Sequence, residues 1–435
     1  MRKRITGTLL VAVLLTVWTG LSLASGFNIY EAGARATALG GAFTATADDG
    51  SAMFYNAAGL SFQNGPGIDL NLMPVGPRFE FSEAQTPGRD PATGTVGGTY
   101  YMVPGAYYTN NPGGLVAYGL GVYAPFGLGV KWDDPTTWIG RQVSYDANIQ
   151  TVYITPAVSF KVTSNLALAI GVDVATQSLS LEKFTLHPTL GVNALDTEIS
   201  GHAELNITPT AGLMYKPIEG LSLGVMYHHK KTMKYRDQEA DLKNALSDGQ
   251  AGYDWSSQLL AGLGGSKQNL DADFKLPYIL SFGAAYRFTE YLAFEFDYVR
   301  FGWGHFDALT MDFKNDALDQ TINFNYENSY QLRFGADVTV MPEKLKIMGG
   351  YVHDKTPQPL HSVSPLLPDS DRNDYSIGAQ FMTGKWEFTL SYMAVIGEAR
   401  TNIEDGRPAN PDPAYPVGTY KSVANVFGIG VGYNF

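Results

Sequence analysis

Residues 425–435, NVFGIGVGYNF, end the chain on a strict two-residue alternation. Successive side chains of an extended strand point to opposite faces. One face therefore carries apolar residues, and the other carries glycines and an asparagine. Chain termini are usually polar and loosely held, so this stretch predicts a strand with apolar surroundings on one side and little space for side chains on the other. The apolar face comprises Phe427, Ile429, Val431, Tyr433 and Phe435.

The same alternation recurs along the chain, which predicts strands with one apolar face. Clear examples are residues 166–176, 221–230, 292–298 and 386–392. A soluble β-sandwich would show this pattern too, so the alternation alone does not decide the fold.

The lengths of the connections decide it. Short connections alternate with long ones, and this sorting is typical of an outer-membrane barrel. The pattern predicts an all-β fold, a transmembrane antiparallel β-barrel with fourteen strands. The short connections include 110–113, 163–165, 217–220, 288–290, 341–343 and 383–385. The long ones are 83–97, 125–146, 182–199, 236–270, 307–319, 355–372 and 398–418.

The first 24 residues have the features of a secretory signal peptide. A basic start, MRKR, precedes an apolar run and the small-x-small triplet Ser22-Leu23-Ala24. We expect the mature chain to start at Ser25 or Gly26. Removal of three basic residues takes the formal net charge from -12 to -15, which argues against nucleic acid as a partner. The mean hydropathy of -0.10 argues against a bundle of membrane helices.

Residues 25–66 do not alternate and are rich in alanine and glycine. We expect short helices near 31–40 and 50–60, in a plug, or hatch, packed inside the lumen of the barrel. The predicted organisation is therefore a signal peptide (1–24), an N-terminal hatch (25–66) and a transmembrane barrel (67–435).

The hatch sequence GFNIYEAGARATALGGAFTATADDGSAMFYNAAGL (26–60) resembles that of the FadL/TodX (OMPP1) family of outer-membrane transporters for long-chain fatty acids and hydrocarbons. Four further regions agree in order: 123–134, 154–162, 276–307 and 350–381. The resemblance implies uptake of a hydrophobic solute in three stages. The extracellular loops capture it, a lumenal pocket beside the hatch receives it, and it exits sideways through a gap in the wall.

Candidate residues follow from the resemblance and from the residue types. A capture groove is expected between the third and fourth long loops, and the gap is expected at glycines of the third strand. The groove residues are Phe184, Leu186, Leu190, Leu259 and Leu263; the hatch residues are Gly26, Phe27, Asn56, Ala57 and Ala58; the kink residues are Gly119 and Gly121.

A fatty-acid carboxylate requires a cation where it is buried. The stretch in which family members supply one reads TINFNYENSY (321–330) here and contains no Lys or Arg. Arg333 and Arg141 are substitute candidates. The missing cation favours neutral hydrocarbons or a broad range of hydrophobic ligands.

The expected partners are a hydrophobic small molecule, outer-membrane lipid and lipopolysaccharide in a Gram-negative bacterium. Terminal Phe435 resembles the signal read by the outer-membrane assembly machinery. We expect a monomer without cofactor or metal, and a transporter rather than an enzyme. A general diffusion porin is the main alternative, and an adhesin role of the long loops is a further one.

Overall fold

The computed structural model describes residues 26–85 and 87–435. The predicted signal peptide and Ser25 lie outside the described residues. No helix in this part of the chain is long and apolar enough to cross a membrane. The helices are α1 (Ala34–Ala38), α2 (Ala52–Tyr55) and α3 (Tyr253–Gly262), with 3-10 turns at Ala57–Phe62, Trp303–His305, Asp316–Leu318 and Leu360–Ser362.

Strands account for most of the structure. They are β1 (Gly65–Glu83), β2 (Thr93–Val96), β3 (Tyr101–Asn111), β4 (Val116–Tyr123), β5 (Gly127–Lys131), β6 (Asp146–Lys161), β7 (Leu166–Leu186), β8 (Asn193–His202), β9 (Asn206–Tyr215), β10 (Leu221–His228), β11 (Lys231–Asn244), β12 (Lys267–Leu276), β13 (Ile279–Thr289), β14 (Leu292–Phe301), β15 (Ala308–Phe313), β16 (Gln320–Asn323), β17 (Ser329–Met341), β18 (Leu345–Asp354), β19 (Arg372–Thr383), β20 (Trp386–Gly397), β21 (Arg400–Thr401), β22 (Ile403–Glu404), β23 (Arg407–Pro408) and β24 (Gly418–Asn434).

These segments form fourteen antiparallel wall strands in a closed barrel, which confirms the predicted fold class. The barrel closes where β1 pairs with β24, from Gly67↔Asn434 to Glu83↔Gly418. Closure satisfies the backbone groups that lipid cannot. In order, the wall strands are β1, β2 with β3, β4 with β5, β6, β7, β8 with β9, β10 with β11, β12 with β13, β14 with β15, β16 with β17, β18, β19, β20 with β21, and β24.

The two ends of the barrel differ. Residues 112–115 and 162–165 are tight connections at one end, which we call the short-turn end. The other end, the long-loop end, carries the longer connections. Here the strands extend further than predicted. The predicted loop 182–199 contains the end of β7 and the start of β8, and the predicted loop 236–270 contains most of β11, all of α3 and the start of β12. Strand pairing continues because neighbouring segments satisfy each other's backbone groups in water as well as in lipid.

Along wall strands such as β6 and β7, the large apolar residues lie on the outward face near one end of the barrel and on the inward face near the other end. Near the short-turn end, the outward residues of β6 are Val152, Ile154, Val158 and Phe160; near the long-loop end they are Asp146, Asn148 and Gln150. The inward residues of β7 change in the opposite sense, from Ala167 and Ala169 to Leu179 and Leu181. The short-turn half therefore presents an apolar belt outward, and the long-loop half encloses apolar side chains.

The last part of β24, from Asn425 onward, lies in the short-turn half and has the predicted faces. Phe427 and Ile429 point outward and are exposed, while Gly428 and Gly430 point inward. A Cβ on Gly430 would lie 3.0 Å from the Cβ of Ala34 in α1. The backbone N–H of Phe435 donates to the carbonyl of Pro66 at 2.9 Å, so the last residue is held at the start of β1.

The N-terminal segment, residues 26–64, lies against the inward faces of the wall. Helix α1 contacts β18, β19, β20 and β24 on one side of the lumen. On another side, the carboxylate of Asp297 accepts hydrogen bonds from the backbone N–H groups of Phe43 and Thr44, both at 3.0 Å. The backbone N–H of Ala45 donates to Glu295 at 2.6 Å. Inward acids of β14 thus hold this segment in place.

Candidate functional site

The long-loop half encloses a cavity with an empty volume of about 840 Å³, counting its open mouth. It lies above the N-terminal segment, whose Phe27 forms part of its floor. The other lining residues include Leu128, Ile149, Leu179, Leu181, Ile199, Tyr235, Leu270, Phe274, Phe306, Leu309, Met311, Ile322, Phe324, Tyr326, Leu366 and Leu367.

The lining of the cavity carries no charged side chain. Its apolar residues are the inward positions of strands whose outward positions are strongly polar. In β12, Leu270 and Phe274 point inward, between outward Asp271, Asp273 and Lys275. A site of this composition binds a hydrophobic molecule and opposes a buried ion.

Aromatic rings gather around the start of the N-terminal segment. The ring centroid of Phe27 lies 4.7 Å from that of Trp303, 5.3 Å from Phe274 and 5.7 Å from Phe306. The backbone N–H of Gly26 donates to the Asp369 carboxylate at 3.0 Å. Burial raises the pKa of Asp369 to about 6. The start of the segment is therefore fixed on the cavity floor by ring packing and by one buried acid.

The third wall strand is interrupted beside this floor. Strand β4 ends at Tyr123 and β5 begins at Gly127, and Pro125 between them has no N–H for a ladder. The N-terminal segment occupies the interruption. The N–H of Ile29 donates to the carbonyl of Pro125 at 2.8 Å, and the N–H of Gly127 donates to the carbonyl of Phe27 at 2.9 Å.

The interruption leaves a window in the wall. Strand β3 pairs with β4 only over Ala106–Asn110. Its residues Tyr101–Gly105 pair with β1 on one edge, and β5 pairs with β6. Between Tyr101–Gly105 and β5, no backbone pairing occurs among the described residues. A bond from the N–H of Asp133 to the carbonyl of Thr95, at 2.9 Å, closes the window at its upper edge.

The glycines selected from the sequence lie below this window. Gly119 and Gly121 belong to β4 and pair with both β3 and β6. Their inward faces accommodate Met53 of α2, because a Cβ on Gly119 would lie 2.6 Å from its sulfur. The break itself occurs at residues 124–126, beyond these glycines.

The third and fourth long connections contact each other, although many of the residues predicted to lie in these loops belong to strands or to helix α3. The rings of His187 and Trp255 lie 4.8 Å apart. Phe184 is buried within β7, stacked on Tyr145. Leu186 ends β7, Leu190 is exposed in the connection 187–192, and Leu259 and Leu263 pack partly buried along and after α3.

Neither candidate arginine lines the cavity. Arg333 is buried below it, where its guanidinium donates to the carbonyl of Gly41 at 3.0 Å and to Gln331. Arg141 donates to the carbonyl of Trp138 at 2.9 Å and to Asn193 at 2.6 Å. Both groups are therefore already engaged with neighbouring residues.

Asn56 ties the N-terminal segment to the wall. Its side-chain amide donates to the carbonyls of Thr44 at 2.8 Å and Leu213 at 2.9 Å, and its carbonyl accepts from the N–H of Ala58. Ala57 and Ala58 begin the 3-10 turn that follows. These contacts stabilise the turn although no proline follows Asn56.

The sequence reasoning missed the cavity residues. Their signal is the apolar alternation in segments whose other face is polar, such as residues 267–276, of which only 267–270 fall in a predicted loop. Among the described residues, no group of three His, Cys, Asp or Glu side chains could hold a metal ion.

Known proteins share this architecture. The model of the family described as outer membrane protein transport protein (OMPP1/FadL/TodX) matches residues 15–435. Outer membrane protein P1 of Haemophilus influenzae is 23% identical over 378 residues, which cover 77% of this chain and 75% of that protein.

Two solved structures show the same fold. A FadL homologue of Pseudomonas aeruginosa superposes with a TM-score of 0.78 at 21% identity, covering 94% of this chain and 100% of the other. The toluene transporter TbuX of Ralstonia pickettii superposes with a TM-score of 0.67 at 18% identity, again covering 94% and 100%.

Proposed function

The chain belongs to the outer membrane transport proteins of the OMPP1/FadL/TodX family, and from this premise we propose that it takes up hydrophobic solutes through a lateral window in its wall. It is a protein of the Gram-negative outer membrane. The observation that carries the proposal is an apolar cavity without charged lining residues, which lies beside a gap in the backbone hydrogen bonding between β3 and β5.

Capture takes place at the long-loop end, which faces outward by the usual orientation of such barrels. The contact between the connection 187–192 and α3 supports a groove there, with Leu190 exposed beside it. Leu259 and Leu263 are its predicted inner wall. Lipopolysaccharide surrounds this half, and the outward acids and lysines of β12 suit that polar environment.

The cavity extracts the solute because each buried CH₂ contributes about 0.8 kcal/mol. A neutral hydrophobic solute can fill the cavity without a charged residue to pair with it. The name of TbuX describes a toluene transporter, and the uncharged lining here agrees with a neutral ligand of that kind better than with a fatty-acid carboxylate.

Exit occurs sideways between β3 and β5. The start of the hatch, Phe27–Ile29, lies between the cavity floor and the break, so its displacement would connect the two. Lateral exit delivers the solute to the apolar belt and keeps it out of water, where transfer would cost the free energy gained on binding.

Uptake measurements test the proposal. Cells that lack their own FadL-type protein would express the full chain and receive labelled toluene or labelled oleate. We expect toluene uptake well above that of cells with empty vector. If the folded protein reaches the outer membrane and neither compound enters faster, the proposal fails.

A deletion tests the role of the window separately from that of the cavity. Inward residues are odd-numbered in β4 and even-numbered in β5, where Leu128 and Val130 pair with inward residues of β6, so removing residues 124–126 joins the two strands with consistent faces. We expect uptake to fall while the barrel still folds. Removal of exposed residues 87–89 from the first long connection is the matched control, and unchanged uptake in the window deletion would exclude lateral exit.

A diffusion porin is less consistent with the structure, because the N-terminal segment fills the lumen. Single-channel recording in planar bilayers distinguishes the two. We expect small or absent conductance, and a large steady conductance would favour the porin.

A further inference from the structure

A buried histidine joins the wall to the N-terminal segment. His228 ends β10, points inward and is 4% exposed. Its Nδ1 lies 3.0 Å from a carboxylate oxygen of Asp173 in β7, and its Nε2 lies 2.9 Å from the carbonyl oxygen of Phe54 in α2. The imidazole ring therefore bridges a wall strand and a helix of the N-terminal segment.

Both partners of this ring are hydrogen-bond acceptors. The carbonyl of Phe54 lies in the last turn of α2, where carbonyls have no partner within the helix. The Asp173 carboxylate also accepts from the ammonium of Lys231 at 3.1 Å and from the hydroxyl of Thr155 at 2.8 Å. A neutral imidazole has one N–H, whereas an imidazolium has two. Both contacts of His228 are hydrogen bonds only if its ring is protonated at both nitrogens.

The groups around the ring provide one negative charge for it. They are Asp173 (β7), Lys231 (β11), Tyr123 (β4), Tyr153 (β6), Thr210 (β9) and Ile279 (β13). The ammonium of Lys231 shares the carboxylate and lies 4.2 Å from the ring centroid of Tyr153. The hydroxyl of Thr210 donates to the carbonyl of Tyr227 at 2.8 Å, so it cannot also donate to the imidazole. The charge-assisted bond to Asp173 is therefore the interaction that stabilises the charged ring.

This cluster lies beside the lower edge of the window. Tyr123 is the last residue of β4 before the interruption, and its hydroxyl lies 2.8 Å from that of Thr155. The ring of Phe54 contacts both sides, with its centroid 5.3 Å from that of Tyr123 and 5.6 Å from that of His228. The bonds of His228 thus position α2 at the point where the third wall strand breaks.

We propose that His228 is an imidazolium that positions α2 against the wall, and that loss of its proton releases α2 and loosens the N-terminal segment. A deprotonated ring nitrogen would place its lone pair against an acceptor. Asp173 is a charged acceptor and the Phe54 carbonyl a neutral one, so the remaining N–H stays with Asp173 and the contact with α2 is lost. Because histidine changes its charge between about pH 5 and pH 8, the lumen should open more often as the pH rises through this range.

Single-channel recording of the full-length protein in planar bilayers tests this inference without any solute. From about pH 5 to about pH 9 we expect openings of the unchanged protein to become about tenfold more frequent, because one hydrogen bond from a charged donor is lost. The side chain of His228→Gln is neutral throughout this range and retains an amide donor. Its opening frequency should therefore lack this rise.

His229→Gln is the matched control, because His229 is the next residue and its Nδ1 lies 2.7 Å from the hydroxyl of Tyr227. It should keep the rise with pH. The same profile in the unchanged protein and in His228→Gln, or loss of the rise in His229→Gln, would overturn the inference. If His228→Gln does not fold, His228→Asn, which is also neutral, takes its place.

NMR of the protein labelled with the heavy nitrogen isotope in its histidines observes the ring directly. The His228 signals are those that disappear in the variant. We expect two protonated ring nitrogens at about pH 6 and one at about pH 9. A neutral ring at the lower pH, or an unchanged ring at the higher one, would overturn the inference. Neither measurement uses a solute, so its result is independent of the uptake test of the proposed function.

Discussion

The short-turn half and the long-loop half of this barrel are built from the same continuous strands, yet the two halves have opposite polarity. In the short-turn half, outward residues such as Ile170 are apolar, and the lumen holds glycine, alanine and the N-terminal segment. In the long-loop half, the outer face is polar and charged and the inner face is apolar. Alternation thus indicates a strand in both halves, but the surroundings decide which face is apolar.

The largest expected effect comes from placing a positive charge on the outer face of the short-turn half. The same change on the outer face of the long-loop half serves as the comparison. Ile170→Lys puts an ammonium into the apolar belt and should lower the free energy of unfolding by about 2–4 kcal/mol. Thr310→Lys, on the exposed outer face of the upper half, should change it little. Denaturant titrations in lipid vesicles measure both, and equal losses would remove the distinction between the halves.

Two adjacent glycines test how the lower lumen is filled. A Cβ on inward Gly350 would lie 2.1 Å from the nitrogen of Gly40, whereas one on outward Gly349 meets nothing closer than 3.8 Å. Gly350→Ala should cost about 1–3 kcal/mol through overpacking and loosen the hatch. Gly349→Ala should do neither.

Thermal unfolding and single-channel conductance measure the pair. We expect a lower midpoint and more frequent openings for Gly350→Ala alone. If Gly349→Ala behaves in the same way, the contact with the hatch does not explain the effect.

The upper lumen should respond in binding rather than in stability. Leu309→Asn introduces an amide among apolar lining residues, which should weaken butylbenzene binding about tenfold, or ~1.4 kcal/mol. The neighbouring Thr310→Asn points outward and serves as the control. Calorimetric titration measures both, and unchanged affinity in Leu309→Asn would place the ligand elsewhere.

The smallest expected effect concerns Arg333, which was predicted to contact a carboxylate. It is engaged by Gly41 and Gln331 in the lower lumen. Arg333→Ala should therefore alter oleate and toluene uptake by the same factor, within twofold. A loss confined to oleate would support the carboxylate contact.

Sequence reasoning reached the lower half more completely than the upper. The alternation of residues 425–435 and the sorted connections predicted the barrel, and the small residues of 25–66 pointed to the hatch. A lumenal pocket beside the hatch was expected, but its lining residues were not predicted, because residues such as Leu270 and Phe274 come together only when the strands close around the lumen. Likewise, glycine content suggested a kink at Gly119 and Gly121, but the break lies at Pro125.

The sequence by itself determined the strands, their number and the belt they present to lipid, because period-two hydrophobicity and connection length are local properties. Only the tertiary structure decided where the hatch binds, which strand edge stays unpaired and which residues share a cavity. These depend on contacts between residues far apart in the chain, such as Phe27 with Trp303 and Ile29 with Pro125. No local sequence pattern predicts these contacts, because each of them forms only when the whole barrel closes around its N-terminal residues.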